Sequence, residues 1–152
     1  MNARMTGRKS IAGALAIAGL GECVQRRIPL DARYRMDVAA LEAQIAQDRA
    51  DGLRPWLVVA SAGTTDTGAV DPLPAIAEVA EREGIWLHVD GAYGASFALT
   101  DEGKRRLAGI ERADSLVLDP HKGLFLPFGT GLVLVRDGDK LRQAYTFTAS
   151  YM

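Results

Sequence analysis

Polar side chains follow three apolar runs in this sequence, each at the point where the run ends. The runs are Pro55 to Ser61, Ile85 to Asp90 and Ser115 to Leu118. The residues to inspect at their ends, all polar except Ala92, are Thr64, Thr65 and Asp66 for the first, Asp90, Ala92 and Tyr93 for the second, and Asp119, His121 and Lys122 for the third. Open α/β sheets bind ligands beyond the carboxyl ends of their strands. We therefore expect the three clusters to meet in one crevice if the strands are neighbours.

The amine of Lys122 is the most reactive candidate in these clusters. It follows a predicted buried strand and stands between His121 and the apolar segment Leu124 to Leu126. Desolvation by apolar neighbours favours the neutral amine, which is a nucleophile toward carbonyl carbons. A lysine in a surface loop fits the same position, so position alone leaves both interpretations open.

Asp90 ends a predicted strand, where a buried carboxylate requires a cationic partner or several hydrogen-bond donors. A protonated pyridine nitrogen is one such partner. His88 is two residues earlier, so strand alternation places both side chains on one face, where the imidazole could hydrogen-bond to the carboxylate and orient it. A histidine that is simply satisfied within the core fits the position equally well.

The elements that would position these residues alternate between strand and helix, and the strands are continuous apolar runs, which is typical of parallel strands covered on both faces. Asp71 and Pro72 are predicted to cap and start a helix that Gly84 ends. The other predicted elements are a strand from Val24 to Pro29, a helix from Asp37 to Gly52, a short helix around Asp101 to Leu107, a strand from Gly131 to Val135 and a helix from Asp139. The predicted fold class is α/β, with a mostly parallel sheet flanked by helices.

The N-terminal apolar run, Ile11 to Leu20, follows Arg4, Arg8 and Lys9 and has two interpretations. A signal peptide has this order of charged and apolar residues, but the run is too short to span a bilayer. We favour a buried, alanine-rich helix that begins at about Ser10 as its N-cap and is closed by Gly19 or Gly21 in the left-handed conformation.

Composition excludes several kinds of partner. The chain has 152 residues, with 18 Lys and Arg against 19 Asp and Glu, and a net charge of -1. No positive surplus exists to hold nucleic acid or an anionic membrane, so neither is expected as a partner. The single cysteine, Cys23, cannot form an internal disulfide and fits a reducing, cytoplasmic location. No metal site is expected, although a metal hydrolase that uses His88, Asp90 and His121 is possible by residue type.

Three motifs together resemble the group II pyridoxal-phosphate-dependent amino acid decarboxylases, the family of the aromatic-L-amino-acid decarboxylases. They are SAGTTDTGAVDP at 61–72, HVDGAYG at 88–94 and DPHKG at 119–123. The motifs occur in the order seen in the family, and the 32 residues from Asp90 to Lys122 resemble the family's separation of its pyridine-binding aspartate and its Schiff-base lysine. Weaker similarity runs through 29–60, so the resemblance as a whole covers the chain from about Ser10.

The resemblance implies a carboxy-lyase whose small-molecule substrate is an amino acid, aromatic, acidic or diamino, with pyridoxal 5'-phosphate as cofactor. Lys122 would form the internal aldimine, and Asp90 would pair with the ring nitrogen. His88 is added to the cofactor site because strand alternation places it where it could orient Asp90. Thr65 and Asp119 would contact the cofactor, Ala92 would pack on its ring, and His121 would lie close to its phosphate. We expect Lys122, Asp90 and His121 to be the catalytic residues.

The chain also departs from the family. Relatives have a ring-stacking imidazole just before the Ser10-Ile11 pair, where this chain has Arg8 and Lys9, and many have tryptophan at Gly123 and asparagine at Asp119. We interpret 1–152 as part of the large domain of a fold-type I enzyme that is a homodimer at full length. The missing parts would be an N-terminal segment with the phosphate loop and a small C-terminal domain, so we expect the chain alone to have little activity. The alternatives are a truncated or degenerate fragment that binds the cofactor without turnover, and another fold-type I lyase.

Overall fold

The computed structural model of the chain describes residues 8 to 146, with side chains from residue 11 onward. The helices are α1 (Arg8–Ile17), α2 (Val38–Ala50), α3 (Leu73–Glu83), α4 (Asp101–Arg106), α5 (Pro120–Gly123) and α6 (Gly138–Tyr145). The strands are β1 (Leu57–Ser61), β2 (Trp86–Asp90), β3 (Ser115–Leu118) and β4 (Leu132–Val135). Two short 3-10 helices occupy Ala95–Leu99 and Ile110–Arg112. The alternation of strand and helix confirms the predicted α/β class.

The four strands form one sheet in the order β1-β2-β3-β4. β1, β2 and β3 are parallel, whereas β4 is antiparallel to β3. The sheet is therefore mostly parallel, as predicted. Because the three parallel strands are adjacent, their carboxyl ends lie side by side, which is the condition that the predicted crevice required.

Helices α2 and α3 begin and end near the predicted residues. The side chain of Asp37 accepts a hydrogen bond from the amide of Ala40 and so caps α2. Gly84 ends α3 in the left-handed conformation, with φ of +64°. The apolar face of α3 is buried and includes Leu73, Ile76 and Val79. α3 packs on β1 and β2, and α2 packs on α3, so the core lies on one side of the sheet.

The prediction that the strands are covered on both faces is wrong for the described residues. Burial alternates along β1 and β2, so Val58 and Leu87 are buried while Leu57 and His88 are half-exposed. The less covered face has an open groove of about 500 Å³, lined by Trp56, Leu57, Trp86, His88 and Ser115. The difference arises because α2 and α3 both lie on the same side of the sheet.

Asp71 does not cap α3, as we had predicted from the Asp-Pro pair. Pro72 occupies the cap position, and no side chain accepts a hydrogen bond there. The two carboxylate oxygens of Asp71 instead accept the amides of Met36 and Ser61, both at 2.7 Å. The carboxylate thereby joins the segment before α2 to the end of β1. Burial raises the pKa of Asp71 above 3.8, opposed by these two hydrogen bonds.

The N-terminal predictions are corrected in three respects. Ser10 lies within α1 rather than at its N-cap, because the helix already begins at Arg8. The helix is not buried in the described structure, since Ile17 is 92% exposed, although Gly19 does adopt the left-handed conformation. Val24 to Pro29 forms no strand, and the only pairing nearby is an isolated bridge between Leu30 and Met36.

Arg4, on which the signal-peptide interpretation partly depends, lies outside the described residues. None of the helices described between residues 8 and 146 combines the length and the apolar character that crossing a membrane requires.

Candidate functional site

The turn that follows β1 lies directly against the turn that follows β2, because two glycines meet there. Gly63 has φ of +87°, and a Cβ at this position would lie only 2.8 Å from the Cα of Gly94. A Cβ on Gly94 would in turn collide with the carbonyl oxygen of Ala62. The absence of side chains thus allows the threonine-rich turn to approach the segment that follows Asp90.

Asp90 ends β2 and is anchored by the backbone around it. Its Oδ1 accepts a hydrogen bond from the amide of Ala92 at 3.1 Å, and its own carbonyl accepts the amide of Ala62 at 2.8 Å. The carbonyl of Ala92 accepts the amide of Asp119 at 3.1 Å. Ala92 therefore connects the second predicted cluster to the third.

Lys122 lies on α5, the single helical turn that begins at Pro120. Its Nζ forms an ion pair with Asp119 Oδ2 at 2.7 Å, and 38% of the lysine side chain is exposed against 21% for the aspartate. Of the two interpretations that the sequence left open for this lysine, the described structure fits the less buried one: the group is half-exposed and paired with a carboxylate. The cause is the (i, i+3) spacing of the two residues, which places both on one side of the turn.

A tight contact holds α5 against the 3-10 helix Ala95–Leu99. A Cβ on Gly123 would collide with the hydroxyl of Ser96 and lie 2.9 Å from its Cβ. Ser96 is buried, and its hydroxyl donates a hydrogen bond to the carbonyl of Tyr93 at 3.3 Å. Any side chain at the position after Lys122 would have to displace Ser96, so this packing requires glycine there.

His88 lies on the same face of β2 as Asp90, but of the two alternatives left open by the sequence, a hydrogen bond to Asp90 is not the one formed. Its Nδ1 lies 2.8 Å from the hydroxyl oxygen of Ser115 on β3 instead. Burial lowers the pKa of His88 below 6.5, while the nearby negative charge of Asp90 acts in the opposite direction. The imidazole is therefore favoured in its neutral form.

His121 contacts the segment before β4. Its Nδ1 lies 2.6 Å from the carbonyl oxygen of Thr130, and its ring meets the edge of Phe128 with centroids 5.1 Å apart. Because a carbonyl oxygen only accepts, Nδ1 must carry the proton. Thr65 lies exposed in the turn after β1, where the hydroxyl pair is formed by its neighbours Thr64 and Thr67 at 2.8 Å.

The structure thus links Asp90, Ala92, Asp119 and Lys122 through hydrogen bonds and the ion pair of Lys122 with Asp119, with Thr65 in the adjoining turn and His121 bonded to Thr130. Sequence reasoning missed Ser115, which has no motif of its own. Its importance follows from the strand register, which pairs it with His88. Within residues 8 to 146, no group of three or more His, Cys, Asp or Glu side chains is arranged to hold a metal ion.

Comparison with known protein families gives one match over nearly the whole chain. The family described as "Pyridoxal-dependent decarboxylase conserved domain" matches residues 4–152. Among individual proteins, the chain is 43% identical over 143 residues to the aromatic-L-amino-acid decarboxylase of Bacillus atrophaeus, covering 94% of this chain and 30% of that protein. It is 45% identical over 128 residues to the L-2,4-diaminobutyrate decarboxylase of Rhizobium meliloti, covering 84% and 26%.

Solved structures give the same result. The apo form of mouse CSAD superposes with a TM-score of 0.86 and 40% identity, covering 95% of this chain and 31% of that one. Oryza sativa TDC, solved with PLP and tryptamine, gives a TM-score of 0.83 and 37% identity, covering 92% and 29%. The chain therefore spans roughly 30% of the length of these relatives.

Proposed function

Because the chain belongs to the pyridoxal-dependent decarboxylase family, we propose that it is part of an enzyme that removes the α-carboxylate of an amino acid as CO2. One observation carries the proposal. The amine of Lys122 and the carboxylates of Asp119 and Asp90 lie at neighbouring carboxyl ends of parallel strands. This is the position in which an open α/β sheet binds its ligand.

The side chains at this edge of the sheet fit pyridoxal phosphate in their chemistry. An amine is present for the aldehyde carbon, and a carboxylate is present for a protonated ring nitrogen. Asp90 uses Oδ1 to hold the amide of Ala92, and Oδ2 has no hydrogen-bond partner among the described residues. The carboxylate thus keeps one oxygen available for a cationic ring nitrogen.

In this proposal Lys122 holds the cofactor covalently and Asp90 pairs with its ring nitrogen. Thr65 and Asp119 contact the cofactor, Ala92 packs on the ring, His121 lies near the phosphate, and His88 supports Asp90. Lys122 can attack a carbonyl only after its ammonium has lost a proton, and Asp119 Oδ2 at 2.7 Å is placed to receive it. His121 already uses Nδ1 for its hydrogen bond with Thr130, so a contact with the phosphate would use Nε2.

When bound, pyridoxal phosphate supplies an electron-accepting ring that takes up the electron pair left as the bond between Cα and the carboxylate breaks. The contribution of the chain is to hold the ring and keep its nitrogen protonated. An ionised carboxylate at Asp90 does this through its negative charge, and its effect on the reaction grows as negative charge develops toward the ring.

The larger context is part of the proposal. We place residues 1–152 in the large domain of a longer fold-type I chain that acts as a homodimer on an α-amino acid. The share of the relatives that the chain covers supports this, as does the apolar surface left exposed at Phe125 and Phe128, which are 91% and 94% exposed. A cytoplasmic location is supported by the single cysteine, Cys23.

The test uses the natural protein that contains this sequence, supplied with pyridoxal phosphate and carboxyl-labelled aromatic, acidic and diamino acids. We expect CO2 release from at least one of them, and its loss in Lys122→Arg. Lys104→Arg is the matched control, because Lys104 forms the same (i, i+3) pair with Asp101, at 3.7 Å, on α4 rather than directly after a strand. Cofactor binding without CO2 release from any amino acid would refute the proposed activity and favour the non-catalytic alternative.

A further inference from the structure

A chain of hydrogen bonds runs from β2 to β3 beside Asp90. The indole Nε1 of Trp86 donates to the hydroxyl oxygen of Ser115 at 2.9 Å, and the same oxygen lies 2.8 Å from Nδ1 of His88. Trp86, His88 and Asp90 alternate along β2 and so share one face of the sheet. Ser115 is paired with His88 in the strand register, which explains why the two side chains meet.

The direction of the second hydrogen bond follows from counting protons. An indole nitrogen only donates, so the hydroxyl of Ser115 accepts from Trp86 and still has its one proton to place. Ser115 is buried, and Nδ1 of His88 is the only acceptor that this hydroxyl meets among the described residues. A hydroxyl proton left unpaired in a buried site is costly. The hydroxyl therefore donates to Nδ1, and a neutral His88 carries its proton on Nε2.

The other histidine of the chain is held in the opposite form. Nδ1 of His121 faces the carbonyl oxygen of Thr130, which can only accept, so His121 carries its proton on Nδ1. The sequence contains two histidines in all. The structure thus assigns one neutral tautomer to each, and the two assignments are distinguishable.

We propose that Ser115, itself held by Trp86, is a positioning residue that fixes His88 as the Nε2–H tautomer. The imidazole then presents a hydrogen-bond donor, rather than a lone pair, on the face of the sheet that carries Asp90. A donor near a carboxylate stabilises its ionised form, whereas a lone pair destabilises it. The inference extends the proposed function, because an ionised Asp90 is the group assigned there to the ring nitrogen. The tautomer itself can be measured without any cofactor.

The experiment records long-range proton–nitrogen correlations of the imidazoles in the nitrogen-15-labelled chain, without cofactor, at a pH at which both histidines are neutral. Protonated and bare ring nitrogens resonate far apart, and His88→Gln assigns the signals. We expect His88 to show a bare Nδ1 and a protonated Nε2, and His121 to show the reverse. A His88 with its proton on Nδ1, or with both forms populated in the wild type, would overturn the proposal.

Variants identify which residue sets the tautomer. Ser115→Ala should give His88 a second population with the proton on Nδ1, and Ser115→Thr, which keeps the hydroxyl, should restore the single form. Ser96→Ala is the matched control, since Ser96 is also buried and its hydroxyl bonds elsewhere, to Tyr93. If Asp90→Asn changes the tautomer while Ser115→Ala does not, the carboxylate sets it and the proposal is wrong. The wild-type spectrum decides the question even if a variant fails to fold, and no outcome depends on decarboxylation.

Discussion

Asp71 joins two parts of the chain that are far apart in sequence, and its substitution should reveal how much this junction contributes to stability. Its carboxylate accepts the amides of Met36 and Ser61, each at 2.7 Å, and the residue is 8% exposed. Asp71→Asn is nearly isosteric but replaces one acceptor oxygen with an NH2 group. One of the two half-buried amides then faces a donor and loses its partner.

The expected magnitude follows from the number of amides left unpaired. A buried donor without an acceptor costs about 1–3 kcal/mol. Asp71→Ala removes both acceptors and should lower the free energy of unfolding by about 2–6 kcal/mol on the same basis. Burial raises the pKa of Asp71, so the charge itself opposes folding and its removal offsets part of the loss. For Asp71→Asn we therefore expect the lower end of the range, about 1 kcal/mol.

Urea unfolding of the chain, followed by circular dichroism and the fluorescence of Trp56 and Trp86, measures these differences. Asp66→Asn is the control, because Asp66 lies exposed in the nearby turn and should stay within about 0.5 kcal/mol of the wild type. If Asp71→Asn unfolds at the same urea concentration as Asp66→Asn, the two hydrogen bonds contribute nothing measurable and the reasoning fails.

The pH dependence of this difference has a definite sign. Because the pKa of Asp71 is raised above 3.8 in the folded state, the folded chain holds the proton more tightly than the unfolded chain. Its contribution to stability is therefore largest below pH 3.8 and falls as the pH rises through the folded-state pKa. The advantage of the wild type over Asp71→Asn should shrink over that interval. An advantage that grows there would contradict the assigned direction of the pKa shift.

Three further predictions concern the site. Gly94→Ala should destabilise the chain by about 1–3 kcal/mol in urea unfolding, because the new methyl group meets the carbonyl of Ala62; an unchanged midpoint would show that the two turns separate freely. Burial lowers the pKa of His88, so as the pH falls the unfolded chain takes up the imidazole proton before the folded chain does, and stability is lost between pH 6.5 and the folded-state pKa. His88→Gln should reduce this loss of stability. A pH profile identical to that of the wild type would contradict the role assigned to His88. In the full-length protein, Asp90→Asn should lower CO2 release by on the order of 100-fold or more while the circular dichroism spectrum stays unchanged, whereas near-normal release would refute the role of the carboxylate.

The sequence predicted helices and strands correctly where their signal comes from residues that are neighbours along the chain. Asp37 and Gly84 mark helix ends through their own backbone and side-chain preferences, and both occupy those positions. The apolar runs predicted the strands, and their order in the sheet brings the three polar clusters side by side. The run from Gly131 to Val135 has the same continuous apolar pattern as the runs that form parallel strands, so its antiparallel direction could not be predicted from composition.

The errors arose where long-range contacts outweigh local preference. Asp71 stands before a proline as a helix cap would, yet amides at Met36 and Ser61 take both of its oxygens. Ser115 is 27 residues from His88, and only the register of β2 and β3 brings them together. The exposure of Lys122 likewise depends on which parts of the fold cover α5, and the apolar residues that flank Lys122 in the sequence do not reveal this.

The central claim is that Lys122 is the residue to which the cofactor attaches, and chemical trapping tests it most directly. The chain is incubated with pyridoxal phosphate, reduced with borohydride and digested, and the pyridoxyl label is located by peptide mass spectrometry. Of the four lysines, Lys9, Lys104, Lys122 and Lys140, we expect the label on Lys122, because it alone follows the end of a parallel strand beside Asp90. Label on Lys104 or Lys140 in place of Lys122 would contradict the account.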